Sequence, residues 1–429
     1  MSIFEYTKLT IIQLVMIKKT LILIIAAYLG VFNSMAALNS PENCQGSLRP
    51  YPVPKIIYTY PDSLTPIFIN HVGRHGSRYP AGDSFCRSMK YCLNKADSLG
   101  TITPLGRKFL SVVNNVISIS NGRWGALDSL GMAEQRGIAQ RMIEKYSDLF
   151  RNKNIDALSS SSPRVIMSMY SFNHEIATKS SSNNINASSG PRFSYLMRPF
   201  DMDKSYLSFM AKAEWKKPYT DFLISNCPLN AIKNLLGEKY PASQDELRTQ
   251  AMNEYYIIAG MSAMGLNIDY KDYLTLKEYN QLWSIFNLRQ YLQHNASTVS
   301  PSPADIAVPL VENLVTVADS VISGKLNISA QLRFGHAETL MPLLSLIKLQ
   351  NCYYLTHYFD TVQDNWKDYD VVPMAANIQF IFFRSKTNKI YVRTDLNEKP
   401  IPLIPGHNNL YLPWEQVREY LLSFTQYML

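Results

Sequence analysis

The chain has 429 residues, 46% hydrophobic and 18% charged, which excludes a disordered protein and leaves room for a large core in roughly two to three domains. Forty-two Lys and Arg against 34 Asp and Glu give a net charge of +8, a modest excess that favours acidic partners. No run of Lys or Arg exceeds a pair, which argues against nucleic acid as the partner.

The first stretch with a signature reads as a secretory leader. Lys18-Lys19 precedes an apolar run at 21–32, and Ser34-Met35-Ala36 supplies small residues for cleavage. On this reading Met16 is the true start and residues 1–37 are removed, which leaves a net charge of +6. The apolar run is shorter than the ~20 residues a membrane span needs, so the mature chain is expected to lack one. Export, whether to a periplasm, an outer surface or the medium, permits disulfides. Five cysteines (Cys44, Cys86, Cys92, Cys227, Cys352) are too few to form a framework, and at least one is unpaired. Cys86 and Cys92, six residues apart, are the expected local bridge.

Residues 38–66 carry six prolines and should run extended over the surface. The apolar run at 67–69 opens a short buried strand expected at 67–72, which breaks at Gly73 and Gly76 into Arg74-His75-Gly76-Ser77-Arg78-Tyr79-Pro80. Helices are expected at 104–118, opened by Pro104, and at 129–150, with capping by Ser129 and the Glu and Gln beyond it. A second strand at 155–158 ends in Ser159-Ser160-Ser161-Ser162-Pro163-Arg164, and a helix resumes to about 179. The Ser/Asn-rich stretch 180–190 reads as a loop, and 204–325 as a helical insertion without strand alternation. The chain returns to strand at 328–335, lands on His336-Ala337-Glu338-Thr339 and continues as a helix from 340 to 348. A hairpin at 377–384 and 389–394 and a last helix at 413–426 complete it.

Two strands followed by arginine-bearing loops and then helices suggest a mostly parallel central sheet flanked by helices, an α/β fold with a helical cap. The α/β part would comprise 38–203 and 326–429, the cap 204–325. Ligands in such sheets sit at the carboxyl ends of the strands, so the arginine loops should share one crevice. Arginine offers a planar fork that matches phosphate oxygens, and histidine is a nitrogen nucleophile or acid–base group near neutrality. Arg74, His75 and Arg78 are therefore read as a phosphate-handling loop. Arg164 at a helix start is disfavoured by the helix dipole unless an anion sits beside it. Glu338, close to a histidine, supplies the carboxylic acid that a departing oxygen needs. His71 and His75 are four apart, but Gly73 and Gly76 oppose the helix that a zinc pair would require. His71 is read as support for the loop, and His174, His294, His357 and His407 as structural.

Arg74-His75-Gly76-Ser77-Arg78-Tyr79-Pro80 resembles the Arg-His-Gly-x-Arg-x-Pro signature of histidine acid phosphatases, the large branch of the histidine phosphatase superfamily. The distal His336-Ala337-Glu338, in place of the commoner His-Asp, resembles the multiple inositol polyphosphate phosphatase group. Ser160-Ser161-Ser162-Pro163-Arg164 looks like the family's third phosphate-arginine segment. Met197-Arg198-Pro199-Phe200-Asp201 resembles, with a proline departure, a segment near the substrate pocket, which makes Arg198 a further substrate-contact candidate.

The resemblance implies that His75 becomes a phosphohistidine, that Arg74, Arg78, Arg164 and His336 bind phosphoryl oxygens, and that Glu338 protonates the leaving alcohol. It implies no metal and no cofactor, and a phytate-type substrate, myo-inositol hexakisphosphate and its lower homologues. The alternatives are a broad acid phosphatase or sugar-phosphatase on the same site, and a polyanion-binding protein without turnover.

Overall fold

The central strand β1 (Leu64–Arg74) is buried on both faces from Phe68 onward, as its apolar run requires. The computed structural model describes residues 38–425; the expected leader at 1–37 lies outside them. Beside β1 run β4 (Ala330–Gly335), parallel, and β5 (Asn377–Ser385), antiparallel. The sheet order is β3-β2-β4-β1-β5-β6-β7, where β2 spans Asn154–Ser159, β3 Asn184–Ser189, β6 Ile390–Leu396 and β7 Lys399–Ile401. A short β8 (Tyr411–Pro413) also pairs with β6. One half, β3-β2-β4-β1, is parallel, and the half beyond β1 is antiparallel.

The stretch expected to be a loop at 180–190 contains β3. Its sequence, Asn-Ile-Asn-Ala-Ser-Ser, carries little apolar signal because it is an edge strand with mostly exposed side chains, held by register with β2.

The principal helices are α1 (Ser84–Ser98), α2 (Pro104–Ser120), α3 (Ser129–Lys145), α4 (Pro163–Lys179), α5 (Gln244–Gly260), α6 (Leu276–His294), α7 (Val308–Ile322), α8 (Ala337–Leu346) and α9 (Trp414–Leu422). Alternation along β1 sends Ile69 to one face, where α3 and α4 pack with Ile155, Leu332, Phe334 and Ile381. Phe68 and Val72 go to the other, with Leu314 of α7, Leu340 of α8 and Trp414 of α9. Helix α5 packs with α1, and α5 and α6 both pack with the turn at 43–48, so the helical layer draws on the N-terminal third as well as on 204–325. The described residues from Ser40 onward form one compact unit.

Capping differs from expectation at α3. Asp128, in extended conformation, accepts from the Leu130 amide, while Ser129 is already helical. The expected Cys86–Cys92 bridge does not form, and no disulfide is present among the described residues. Both lie on α1, where six residues advance the axis by about 9 Å, beyond the reach of a disulfide.

Candidate active site

The site forms where β1, β2 and β4 end side by side. Three backbone hydrogen bonds fix the loop after β1. Arg74 N–H donates to the Ala376 carbonyl (2.7 Å), His75 N–H to Gly335 (3.1 Å), and Ala375 N–H to the His75 carbonyl (3.0 Å). A Cβ on Gly76 would lie 2.4 Å from the Gly131 carbonyl oxygen, and one on Gly131 would lie 2.1 Å from that of Ser77. Only two glycines let the loop lie directly on the start of α3. From that helix Glu134 accepts from Ser77 N–H (2.7 Å), Ser77 Oγ (2.7 Å) and Tyr51 N–H (2.8 Å), and Gln135 donates to the Arg74 carbonyl (2.9 Å). The acidic and amide residues expected to cap α3 thus hold the loop instead.

His75 is buried, and its Nδ1 lies 2.9 Å from the Gly76 carbonyl. A carbonyl can only accept, so Nδ1 carries the proton and Nε2 keeps its lone pair. Burial holds the imidazole well below its usual range, and Arg74, Arg78, Arg164 and His336 add to that. The neutral imidazole, with its Nε2 lone pair free, is thereby favoured.

Arg74 and Arg78 are buried deeply enough that their guanidinium groups fall to about 10 and about 9, and Arg164 is lowered for the same first reason. None of the three forms an ion pair among the described residues, and the Nε of each is buried without a hydrogen-bond partner. Three cations without an ion-pair partner make a site for an anion.

His336 stands beside His75 with ring centroids 5.6 Å apart. Its Nδ1 lies 3.3 Å from Arg164 Nη2, and its Nε2 lies 3.1 Å from Ser160 Oγ and 3.0 Å from Arg198 Nη1. Arginine only donates, and a neutral imidazole accepts at one nitrogen, so the ring cannot satisfy both arginines. Burial brings this imidazole to about 3. Arg198 also pairs with Asp201 (2.6 Å) and stacks over Phe200.

Glu338 lies in the first turn of α8, three residues beyond the end of β4. Burial pushes its carboxyl up, but His294, His336, its own backbone amide and Arg74 outweigh that and hold it at about 2. A cavity of about 690 Å³ opens in front of Arg74, Arg78 and Glu338; its lining also includes Asn253, Tyr256, Arg289, Gln293 and His294.

The structure brings His75, Glu338, Arg74, Arg78, Arg164, His336 and Arg198 into one place. His71 lies beneath, against Phe172 and Phe334, and a Cβ on Gly73 would meet its ring at 2.7 Å. His174, His357 and His407 are exposed and elsewhere, whereas His294, expected to be structural, lines the cavity beside Glu338. Its sequence neighbours on α6 carry no motif, so nothing local announced it. Ser47 also lines the cavity, from a segment whose prolines indicated only extended chain.

The chain is similar to known proteins in sequence and in fold. Human multiple inositol polyphosphate phosphatase 1 is 22% identical over 409 residues, 88% of this chain and 83% of that protein. The multiple inositol polyphosphate phosphatase of Bifidobacterium longum, solved with inositol hexasulfate, superposes with a TM-score of 0.77 at 15% identity, covering 88% of this chain and 97% of that one. The phytase of D. castellii gives 0.71 at 18% identity, covering 93% and 90%. Residues 67–174 and 225–397 match the histidine phosphatase superfamily (branch 2), and the chain belongs to that family.

Proposed function

We propose that this chain is an exported phosphomonoesterase that hydrolyses phytate and lower inositol polyphosphates through a phosphohistidine. The observation that carries the reading is a buried, neutral His75, its Nδ1 tied to Gly76, among three arginines without carboxylate partners. The size of the cavity, the polar residues that line it and the inositol hexasulfate bound by the Bifidobacterium relative support a polyanionic inositol substrate.

In the reaction Nε2 of His75 attacks phosphorus as the bond to the inositol oxygen breaks. Arg74, Arg78, Arg164 and His336 take up the charge that develops on the phosphoryl oxygens. The Glu338 carboxyl gives its proton to the departing alkoxide. Water then attacks the phosphohistidine, Glu338 accepts a proton from it, and phosphate leaves as the N–P bond breaks. Glu338 at about 2 is ionised in the empty pocket through much of the acid range. A bound phosphate adds negative charge beside it and pushes that value up, so the substrate itself helps to arm the acid. The rate then falls as pH rises through the carboxyl's value in the complex.

His75→Ala tests the nucleophile: loss of at least about 10³-fold in phosphate release is expected, and wild-type release would refute the mechanism. Turnover of phytate against p-nitrophenyl phosphate tests the substrate. A higher kcat/KM for phytate is expected; equal values would favour a broad acid phosphatase. Glu338→Gln should slow inositol leaving groups far more than p-nitrophenolate, and equal slowing would remove Glu338 from the acid role.

A further inference from the structure

Arg74 is held from behind by two carbonyls that are far apart in sequence. Its Nη1 donates to Ser47 O (2.7 Å) and to Val372 O (2.5 Å). Both carbonyls trace back to one residue. Asp368 is fully buried, and its Oδ2 accepts from the Ser47 amide at 2.6 Å. Its own carbonyl accepts from the Val372 amide at 2.8 Å.

The carboxylate is itself fixed. Its Oδ1 accepts from Trp283 Nε1 (2.9 Å), and the Asp368 amide donates to Asn287 Oδ1 (2.9 Å), both on α6. Gly46 has φ +58°, and a Cβ there would lie 2.7 Å from Asp368 Oδ2, so a side chain at 46 would displace the carboxylate from Ser47. The hydrogen bonds use Asp368 as acceptor on both oxygens. No neutral amide reproduces this, because an Asn would aim its own N–H at another donor. The negative charge also lies close enough to favour the charged form of Arg74.

We infer that Asp368 is a positioning residue for Arg74, its side chain setting Ser47 and its main chain setting Val372, the two carbonyls that aim the guanidinium into the cavity. This rests on the reading that Arg74 binds the transferring phosphoryl group. A donor that must meet a developing charge within tenths of an ångström loses most of its effect when misaimed, and a shift of 1 Å costs about 10²-fold.

A double-mutant cycle with p-nitrophenyl phosphate decides it, whatever the natural substrate. Asp368→Asn should lower kcat/KM by about 10- to 100-fold and weaken inhibition by inorganic phosphate in proportion. In an Arg74→Ala background the same substitution should cost less than about 3-fold, because the group it aims is gone. An equal fold-loss in both backgrounds would overturn the inference and leave the phosphatase reading intact. Wild-type turnover by Arg74→Ala alone would instead refute Arg74 as a phosphate ligand, and with it the role given to Asp368. Thermal unfolding confirms that each variant is folded. Should Asp368→Asn not fold, Trp283→Phe removes one donor to the carboxylate; a loss in the wild-type background that vanishes with Arg74→Ala supports the inference, and the same loss in both rejects it.

Discussion

Two groups of buried arginines lie in this molecule, and they are treated in opposite ways. Arg393 on β6 is fully buried and completely satisfied. Its Nε and Nη2 each donate to Asp395 at 2.8 Å, Nη2 also to Tyr146 Oη at 2.6 Å, and Nη1 to Thr59 O and Tyr411 Oη. Burial alone would lower its pKa, but Asp395 and Tyr146 more than offset that and raise it. Arg74, Arg78 and Arg164 are also largely enclosed, yet each keeps a bare Nε, and burial lowers all three. The fold can pair a buried cation, as β6 demonstrates, and at the ends of β1 and β2 it does not. The unmet need at those ends is the binding energy held ready for an anion.

Removing an arginine from each group should therefore have opposite consequences. Arg393→Met strands Asp395 with only Lys145, and should cost about 3–5 kcal/mol in denaturant unfolding with kcat/KM of the folded enzyme unchanged. Arg78→Met should lower kcat by about 10²–10³-fold without lowering Tm, because it removes a cation that nothing pairs. A fall in Tm matching that of Arg393→Met would abolish the distinction.

The same contrast predicts a ligand effect. Inorganic phosphate at a hundred times its Kd should stabilise the wild type by about 2.7 kcal/mol, read as a rise in Tm by scanning fluorimetry. The rise should shrink sharply in Arg78→Met and persist in Arg393→Met. Equal rises in both would place the anion elsewhere.

Glu254 on α5 gives the smallest effect and the clearest control. It is fully buried, neither oxygen has a hydrogen-bond partner, and burial, with Glu278 adding, pushes its carboxyl well above 4.5. Unlike arginine it can escape an unpaired charge by keeping a proton. The folded state then binds more protons than the unfolded one as pH rises past the unfolded value, so this group's contribution to stability declines upward from about pH 4.5. Glu254→Gln should match the wild type most closely near pH 4 and gain on it by about 1 kcal/mol or more at pH 8. A gap that stays constant with pH would show that the group does not titrate with folding.

Much of the site was legible because its pieces are local. Arg74-His75 after β1, Arg164 after β2 and His336-Ala337-Glu338 after β4 each stand where an apolar run gives way to a polar loop and a helix. Adjacency of the three strands then brings them together. Residues whose meaning depends on a distant partner were not legible. Asp368 is one acidic residue in a polar stretch until Ser47 and Arg74 are seen around it, and His294 is one residue of a helix until Glu338 faces it. Strand β3 escaped for a related reason: its pairing with β2, not its polar composition, makes it a strand. The Cys86–Cys92 expectation failed because spacing along a chain says nothing of distance until the helix is known.

The position of β1 has a consequence for how the chain comes to be folded. Its two neighbours, β4 and β5, begin at Ala330 and Asn377, more than 250 residues after β1 ends at Arg74. As the chain emerges during synthesis, this buried strand has both edges open until the last quarter arrives. No shorter nascent chain can close the sheet, seat the Arg74 guanidinium between Ser47 and Val372, or bring up Glu338. Hydrolysis is thus a property of the finished sheet alone. The interval before it closes, with an unpaired apolar edge exposed, is when this chain is most exposed to aggregation and most dependent on chaperones.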